Sequence, residues 1–193
     1  DGLYGVFWDS LPDGWGELLV KRYLAKQGIN YDRLSPLTKL SLIGENGLGG
    51  LNYEPSQFAG KGADAPDFDT LAREMDKILN DENADDLDAV YRLGGSSGGA
   101  RPKAHLRIDG EEWIVKFPCR IDPQDVGELE YRANVAARRC GIDVNEFCLF
   151  PSRLCSGYFG AKRFDRKAGK RLHILSLAAL LETTHRQPNL DYG

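Results

Sequence analysis

The glycine-rich stretch Leu93-Gly-Gly-Ser-Ser-Gly-Gly-Ala100 leads directly into the pattern of a β-hairpin. Lys103–Ile108 and Glu112–Phe117 are short segments rich in apolar residues, and Asp109-Gly110 lies between them. An Asp-Gly pair between two such segments predicts a tight turn that joins antiparallel strands. Because this glycine-rich stretch precedes a strand, it differs from the P-loop and from the dinucleotide fingerprint, both of which open a helix.

The residues after the hairpin predict one helix and two more strands. Asp125–Cys140 has the apolar spacing of a helix, with Gly141 as its stop. Phe147–Phe150 and Tyr158–Phe164 have the composition of strands, and Leu172–Leu181 is expected to be a mixed apolar helix. The order strand, strand, helix, strand, strand predicts an α+β fold in which a small antiparallel sheet carries one helix.

The first half of the chain has a different, mainly helical pattern. Apolar residues recur at three- and four-residue spacing in four segments, which are Trp15–Gln27, Pro36–Leu42, Phe68–Leu79 and Leu87–Leu93. The residues at 56–66 are rich in Gly, Ala and Pro, which is typical of a linker. We therefore predict a unit at 1–58, a linker at 59–66 and a second unit at 67–193.

Composition narrows the classes of protein to which the chain can belong. The net charge of -4 argues against coating nucleic acid by bulk charge, and no apolar run has the roughly 20 residues of a membrane-spanning helix. Cys119, Cys140, Cys148 and Cys155 lack the spacing of a zinc site, so reduced thiols and no metal centre are expected. The chain has no secretory signal pattern, and a cytoplasmic location is expected.

Lys116 is the second feature that suggests chemistry. It lies inside the apolar strand Trp113-Ile-Val-Lys-Phe-Pro118, where a charged side chain is costly without a partner. In kinases a lysine on such a strand follows the glycine-rich loop, binds phosphates and pairs with a helix glutamate. Glu130 on the following helix is the favoured partner, and Glu128 is the less favoured one. The order of loop, lysine and carboxylate predicts nucleotide binding.

Several strings together resemble the HipA family, the kinase toxins of bacterial HipBA toxin–antitoxin pairs. These strings span nearly the whole chain, and they are Phe7-Trp-Asp-Ser-Leu-Pro-Asp-Gly-Trp-Gly16, Gly44-Glu-Asn-Gly-Leu-Gly-Gly50, Ser96-Ser-Gly-Gly-Ala-Arg-Pro-Lys103, Trp113-Ile-Val-Lys-Phe-Pro118, Ala136-Ala-Arg-Arg-Cys-Gly-Ile142 and Lys162-Arg-Phe-Asp-Arg166. The resemblance implies a protein-kinase-like N-lobe, preceded by the end of the family's N-terminal subdomain. The catalytic lobe, with its Asp-x-His-x-x-Asn string, is expected to be absent from this sequence.

The resemblance also implies a role for individual residues. Gly98, Gly99, Ala100 and Arg101 match the loop that contacts ATP phosphates, and Lys116 with Glu130 matches the phosphate-binding ion pair. Lys162, Arg163 and Phe164 match the hinge strand, whose backbone meets the adenine edge. Ser96 falls on the family's inhibitory autophosphorylation position, and Ser97 is a neighbouring candidate. Mg²⁺ would accompany ATP, with its ligands in the absent lobe, so the chain alone is expected to be inactive.

The implied partners are a HipB-like helix-turn-helix antitoxin, operator DNA bound through that antitoxin, and a protein substrate such as an aminoacyl-tRNA synthetase. Two alternatives stay open on the sequence. One is a non-catalytic protein-binding module that docks through the first helix and Trp15. The other is an unrelated nucleotide-binding enzyme with a glycine-rich loop.

Overall fold

The computed structural model describes residues 2–57 and 67–183. The predicted linker at 59–66 lies outside the described residues, and the division of the chain at that point stays a prediction. The elements in chain order are α1 (Gly5–Trp8), α2 (Trp15–Lys26), a 3₁₀ helix (Tyr31–Arg33), α3 (Pro36–Ile43), α4 (Phe68–Leu79), α5 (Leu87–Gly94), β1 (Lys103–Ile108), β2 (Glu111–Lys116), α6 (Val126–Arg139), β3 (Phe147–Phe150), β4 (Tyr158–Lys162), β5 (Arg166–Lys167), β6 (Lys170–Arg171) and α7 (Leu177–Leu180).

Four of these strands form an antiparallel sheet in the order β1-β2-β4-β3. The hairpin predicted at Asp109-Gly110 is confirmed, and Ile108 pairs with Glu111 across the turn. Asp109 and Gly110 have φ angles of 51° and 83°, and a two-residue turn of this kind needs positive φ at both positions. The small antiparallel sheet with helices confirms the predicted α+β class.

One face of the sheet is buried against helices of the first half of the chain. The alternating side chains of each strand supply this face, because successive side chains point to opposite sides. The core joins sheet residues with residues of α2, α4 and α5, among them Trp15, Leu19, Met75, Ile78, Val90, Ala104, Leu106, Val115, Phe117 and Tyr158. The helices of the first half therefore share one hydrophobic core with the sheet.

The helix α6 packs on β3 and β4 and has no fully buried residue. Gly127 allows close approach, because a Cβ at this position would lie 2.2 Å from the Gly157 carbonyl oxygen. The Tyr131 ring meets the edge of the Phe147 ring, with 5.4 Å between centroids. These contacts fix α6 beside the sheet with one side left to solvent.

Five of the six helices expected from periodicity are confirmed to within one residue at each end, and the exception is the one expected at Leu172–Leu181. The predicted cap at Ser35 is also confirmed, since its hydroxyl oxygen accepts the backbone N–H of Thr38 over 3.1 Å. Such a side chain satisfies one of the N–H groups that a helix start leaves without a partner.

The strand expected at Tyr158–Phe164 ends two residues early, at Lys162. The chain turns inward at that point, because the side chains of Arg163 and Asp165 are buried and bonded to each other. The short hairpin β5–β6 that follows was not expected.

The helix expected at Leu172–Leu181 is wrong over its first half. Leu172 donates its backbone N–H to the Asp165 carbonyl over 2.9 Å, and the helix begins only at Leu177. Ser176 caps it, and the Asp9 carboxylate accepts both the backbone N–H and the hydroxyl of Ser176. A contact with the start of the chain therefore sets where α7 begins.

All four cysteines carry free thiols. Within the described ranges, no helix is both long enough and apolar enough to cross a membrane.

Candidate functional site

The glycine-rich loop between α5 and β1 is held against the start of α2. The backbone N–H of Trp15 donates to the Gly99 carbonyl over 2.9 Å. The indole N–H of Trp15 donates to the Lys103 carbonyl over 3.1 Å. Gly16 permits this approach, since a Cβ there would lie 2.0 Å from the Ser97 carbonyl oxygen. The N-terminal half of the chain thus forms one wall of the loop.

The outer turn of the loop faces open space. Gly99 has a φ of 80°, which glycine adopts without steric cost, and a Cβ on Gly98 would meet no heavy atom within 4 Å. Gly98 and Gly99, together with Phe164, line a cleft of about 1200 Å³. Lys116 and Glu130 are not part of the wall of this cleft.

Lys116 is paired with the glutamate favoured by the sequence. Its ammonium donates to the Glu130 carboxylate on α6 and lies 5.6 Å from the centroid of the Phe159 ring. Glu128 is engaged elsewhere, in an ion pair with Arg132 at 2.5 Å. The ion pair holds β2 and α6 together and fixes the direction of the lysine.

Lys103 is a second lysine beside Lys116. The sequence analysis did not single it out as a site residue. It lies directly opposite Lys116 in the hairpin, so the two side chains leave the sheet on the same face. Its ammonium donates to the Gly98 carbonyl. The register could have been found from the sequence, because counting outward from the Asp109-Gly110 turn pairs the two lysines.

This face of the hairpin favours an anion. Burial, followed by the nearness of Lys116, lowers the pKa of Lys103 below its ordinary value. The Lys116 ammonium is bonded to a carboxylate, that of Glu130, whereas the Lys103 ammonium is bonded to an uncharged carbonyl. Burial also lowers the pKa of His105, two residues along β1, to about 3, so its imidazole stays neutral near pH 7. A phosphate group would add the missing negative charge.

Arg101, at the end of the loop, points away to the segment between β2 and α6. Its guanidinium forms an ion pair with the Asp122 carboxylate at 2.7 Å. Ala100, between Arg101 and Gly99, is exposed. Of the four loop residues expected to contact phosphate, Arg101 is the charged one, and it already has a carboxylate partner.

The residues expected to form the hinge have three different surroundings. The ammonium of Lys162 is paired with Glu146 at 2.9 Å on the surface. The backbone N–H groups of Lys162 and Arg163 donate to the carbonyls of Glu146 and Glu112, each over 2.8 Å. Phe164 is 57% exposed and belongs to the wall of the cleft. Of the three, Phe164 is the one placed to meet a ligand there.

The side chain of Arg163 belongs to a buried clasp that the sequence analysis did not predict. Arg163, Arg166 and Arg171 donate to carbonyl oxygens of the 45–51 turn. Asp165 accepts from Arg163 and Arg166 at 2.7 Å each and from the Gly49 backbone N–H at 2.8 Å. Burial alone would raise the pKa of Asp165, but these donors lower it to about 2.

The two candidate serines differ in exposure. Ser97 is fully buried, and its hydroxyl donates to the Gly94 carbonyl over 2.5 Å. Ser96 is partly exposed, and its hydroxyl donates to the Asn46 carbonyl over 2.9 Å. In this conformation Ser96 is therefore the more accessible of the two to another reactant.

The docking role considered for Trp15 is wrong, because its side chain is only 1% exposed and belongs to the core. A surface anchor must be free to enter a partner's pocket. Trp15 instead bonds the loop and β1.

What the structure says about metal binding concerns only the described part of the chain. Across residues 2–57 and 67–183, no three His, Cys, Asp or Glu side chains come together in a way that could hold a metal ion.

A family model described as HipA-like C-terminal domain matches residues 95–192. The match covers slightly more than half of the 193 residues and includes the glycine-rich loop, the four-stranded sheet and α6. No curated protein matches the chain. HipA proteins are serine/threonine kinases in general, and they work with a HipB antitoxin. The resemblance drawn from the sequence is confirmed, and the chain belongs to the HipA family.

Proposed function

We propose that this chain is the ATP-binding portion of a HipA-type protein serine/threonine kinase. The observation that carries the proposal is the pairing of Lys116 with Glu130 on a helix, one hairpin after a glycine-rich loop. Protein kinases use this combination to hold ATP phosphates. Lys103, bonded to the Gly98 carbonyl, brings a second ammonium to the same place.

The arrangement suggests how ATP would lie. Backbone N–H groups of the 98–100 turn and the two ammonium groups would bind phosphate oxygens, since both are donors suited to anions. Phe164, in the wall of the cleft, would contact the base. Mg²⁺ would neutralise the phosphate charge, with its ligands outside the described residues. The sequence contains no Asp-x-His-x-x-Asn string, so we propose that this chain alone transfers no phosphate.

Lys116→Ala should weaken ATP binding by at least about tenfold, because a lost charge-assisted contact costs about 1.5–3 kcal/mol. Isothermal titration of the chain with ATP measures this. Lys103→Ala should also weaken binding, whereas Lys167→Ala removes an exposed lysine of the small hairpin and should change nothing. In the full-length protein, Lys116→Ala should abolish autophosphorylation. Unchanged ATP affinity in Lys116→Ala would overturn the proposal.

The partners of the family are extended to this chain as part of the proposal. We expect a HipB-like helix-turn-helix antitoxin that carries the complex to operator DNA, a protein substrate such as an aminoacyl-tRNA synthetase, and a cytoplasmic location. Incubating the full-length protein with labelled ATP and purified synthetases tests the substrate. Labelled phosphate on none of them would reject this substrate class.

A further inference from the structure

Arg101 and Asp122 form an ion pair whose two members have opposite environments. The Arg101 side chain is 53% exposed at the end of the loop, whereas the Asp122 side chain is 4% exposed. Asp122 also accepts the backbone N–H and the thiol of Cys119, each over 3.0 Å. The Asp122 side chain is therefore buried, and its carboxylate accepts from both Cys119 and Arg101.

Because Asp122 is the buried member, breaking the pair costs more at Asp122 than at Arg101. A buried carboxylate that loses its cation is costly, while an exposed guanidinium loses little on entering water. Hydrogen bonds from Cys119, followed by the charge of Arg101, lower the pKa of Asp122 despite its burial. The carboxylate is thus charged near pH 7, and Arg101 is drawn to it.

The segment that carries Asp122 is itself fixed in place. Phe117 donates its backbone N–H to the Pro102 carbonyl over 2.9 Å. Arg120 bonds two acids of the α4 region, Asp76 at 3.0 Å and Glu82 at 2.9 Å. The carboxylate therefore offers the loop a stationary point of attachment.

The 98–101 turn is consequently tied at both ends. Lys103 holds the Gly98 carbonyl from the hairpin side, and Asp122 holds Arg101 from the other side. Between these points lie Gly99, with its φ of 80°, and the exposed Ala100. The Gly99 carbonyl also accepts the Trp15 N–H. Without the tie to Asp122 the turn would be held only by Lys103 and Trp15, and its Ala100 and Arg101 end would sample more backbone conformations.

We propose that Asp122 is a positioning residue for nucleotide binding, which acts through Arg101 to keep the 98–100 amides directed at the phosphates. The inference rests on the proposed ATP binding and adds a residue outside the loop to it. On this view Arg101 stays on Asp122 when ATP is bound. Phosphate is then met by amides and by the two lysines, and Arg101 makes no phosphate contact.

The test compares Asp122→Asn, Arg101→Ala and the double variant. Asn keeps the size of the side chain and an oxygen for the Cys119 N–H, and Arg101 is an exposed residue, so the second variant is expected to fold. Each single variant should weaken ATP binding by about tenfold, the order expected for loss of a charge-assisted contact. The double variant should lose no more than either single one, because both act through one pair.

Hydrogen exchange provides a readout that does not need ATP. The Trp15 amide, which donates to the Gly99 carbonyl, should exchange faster in both single variants, since the turn opens more often. Arg132→Ala is the matched control: it removes another exposed arginine from an ion pair, with Glu128 on α6, and leaves Arg101 and Asp122 in place. Its exchange at the Trp15 amide and its ATP affinity should equal those of the unaltered chain.

The outcomes separate this inference from the proposed function. No ATP binding by the unaltered chain overturns both. ATP binding that Asp122→Asn leaves unchanged overturns the inference alone, and so does unchanged exchange at the Trp15 amide. A much larger loss of ATP affinity in Arg101→Ala than in Asp122→Asn would mean that Arg101 contacts phosphate directly, and this also rejects the positioning role.

Discussion

Lys103 and Lys116 are directly opposite each other in the hairpin, but they are compensated differently. Lys116 donates to a carboxylate, and Lys103 donates to a peptide carbonyl. A carbonyl carries no net charge, so the charge of Lys103 is the less compensated of the two. Burial beside a second cation lowers its pKa. An arriving phosphate would therefore raise the pKa of Lys103, and the gain from the new contact is expected to be greater there.

At the same scale, the two loop serines lead to a prediction about modification. Ser96→Ala should remove autophosphorylation of the loop in the full-length protein, and Ser97→Ala should leave it, because the Ser97 hydroxyl is buried. A phosphate on Ser96 would add about two negative charges next to the Asn46 carbonyl that its hydroxyl now contacts. The loop would then leave its present place.

Mapping of the phosphorylated residue by mass spectrometry checks this prediction. Activity toward the protein substrate, measured in Ser96→Ala, is the control for an intact site and should persist. Phosphate found on Ser97, or on neither serine, would contradict the assignment.

At the scale of elements, the start of α2 is shaped to receive the glycine-rich loop. A Cβ on Gly14 would lie 2.6 Å from the Gly99 carbonyl oxygen, and one on Gly16 would lie 2.0 Å from the Ser97 carbonyl oxygen. Two glycines in the Asp13-Gly-Trp-Gly16 string are thus explained by contacts with Ser97 and Gly99 of the loop, far along the sequence. The helix and the loop are parts of one structure.

This packing predicts whether a substitution at Gly16 stabilises or destabilises the chain. In an ordinary helix, Gly→Ala stabilises by about 1 kcal/mol. Gly16→Ala should instead destabilise the chain by about 1–3 kcal/mol, because backbone must move to admit the methyl group. Urea unfolding measures the difference. Glu17→Ala, at the next and partly exposed position, should change stability by less than about 0.5 kcal/mol, and a stabilised Gly16→Ala would disprove the close approach.

At the scale of the whole molecule, local patterns predicted much of the fold but few of its long-range contacts. The Asp109-Gly110 turn and the helix Phe68–Leu79 could be predicted from neighbouring residues. So could the pairing of Lys116 with Glu130, which lies on the helix that follows its strand. The clasp between Arg163 and the 45–51 turn does not, because no periodicity relates residues 116 positions apart. Both segments belong to strings that carry the family resemblance, yet only the three-dimensional fold brings them together.

The clasp connects regions that surround the candidate site. The 45–51 turn is bonded on one side to the buried arginines that follow β4. At Asn46 the turn accepts the Ser96 hydroxyl of the glycine-rich loop. A segment of the first half of the chain therefore lies between the loop and the start of the hinge region. We expect loss of the clasp to affect the stability of both the glycine-rich loop and the hinge region.

Asp165→Asn tests this connection. The substitution leaves Arg163 and Arg166 without their buried counter-charge, which should reduce the free energy of unfolding by about 3–5 kcal/mol.

The pKa of Asp165 is lowered from 3.8 to about 2, so its charged form stabilises the fold at any pH above the unfolded value. That stabilisation is lost as pH falls through about 2. Urea unfolding of both proteins from about pH 7 to about pH 3 should give a constant difference near neutrality that shrinks below 3.8. The variant Glu112→Gln, which removes a half-exposed acid near the same arginines, should show a much smaller difference. Equal stability of Asp165→Asn and the unaltered chain at neutral pH would mean that the arginines are held by the carbonyls of the turn alone.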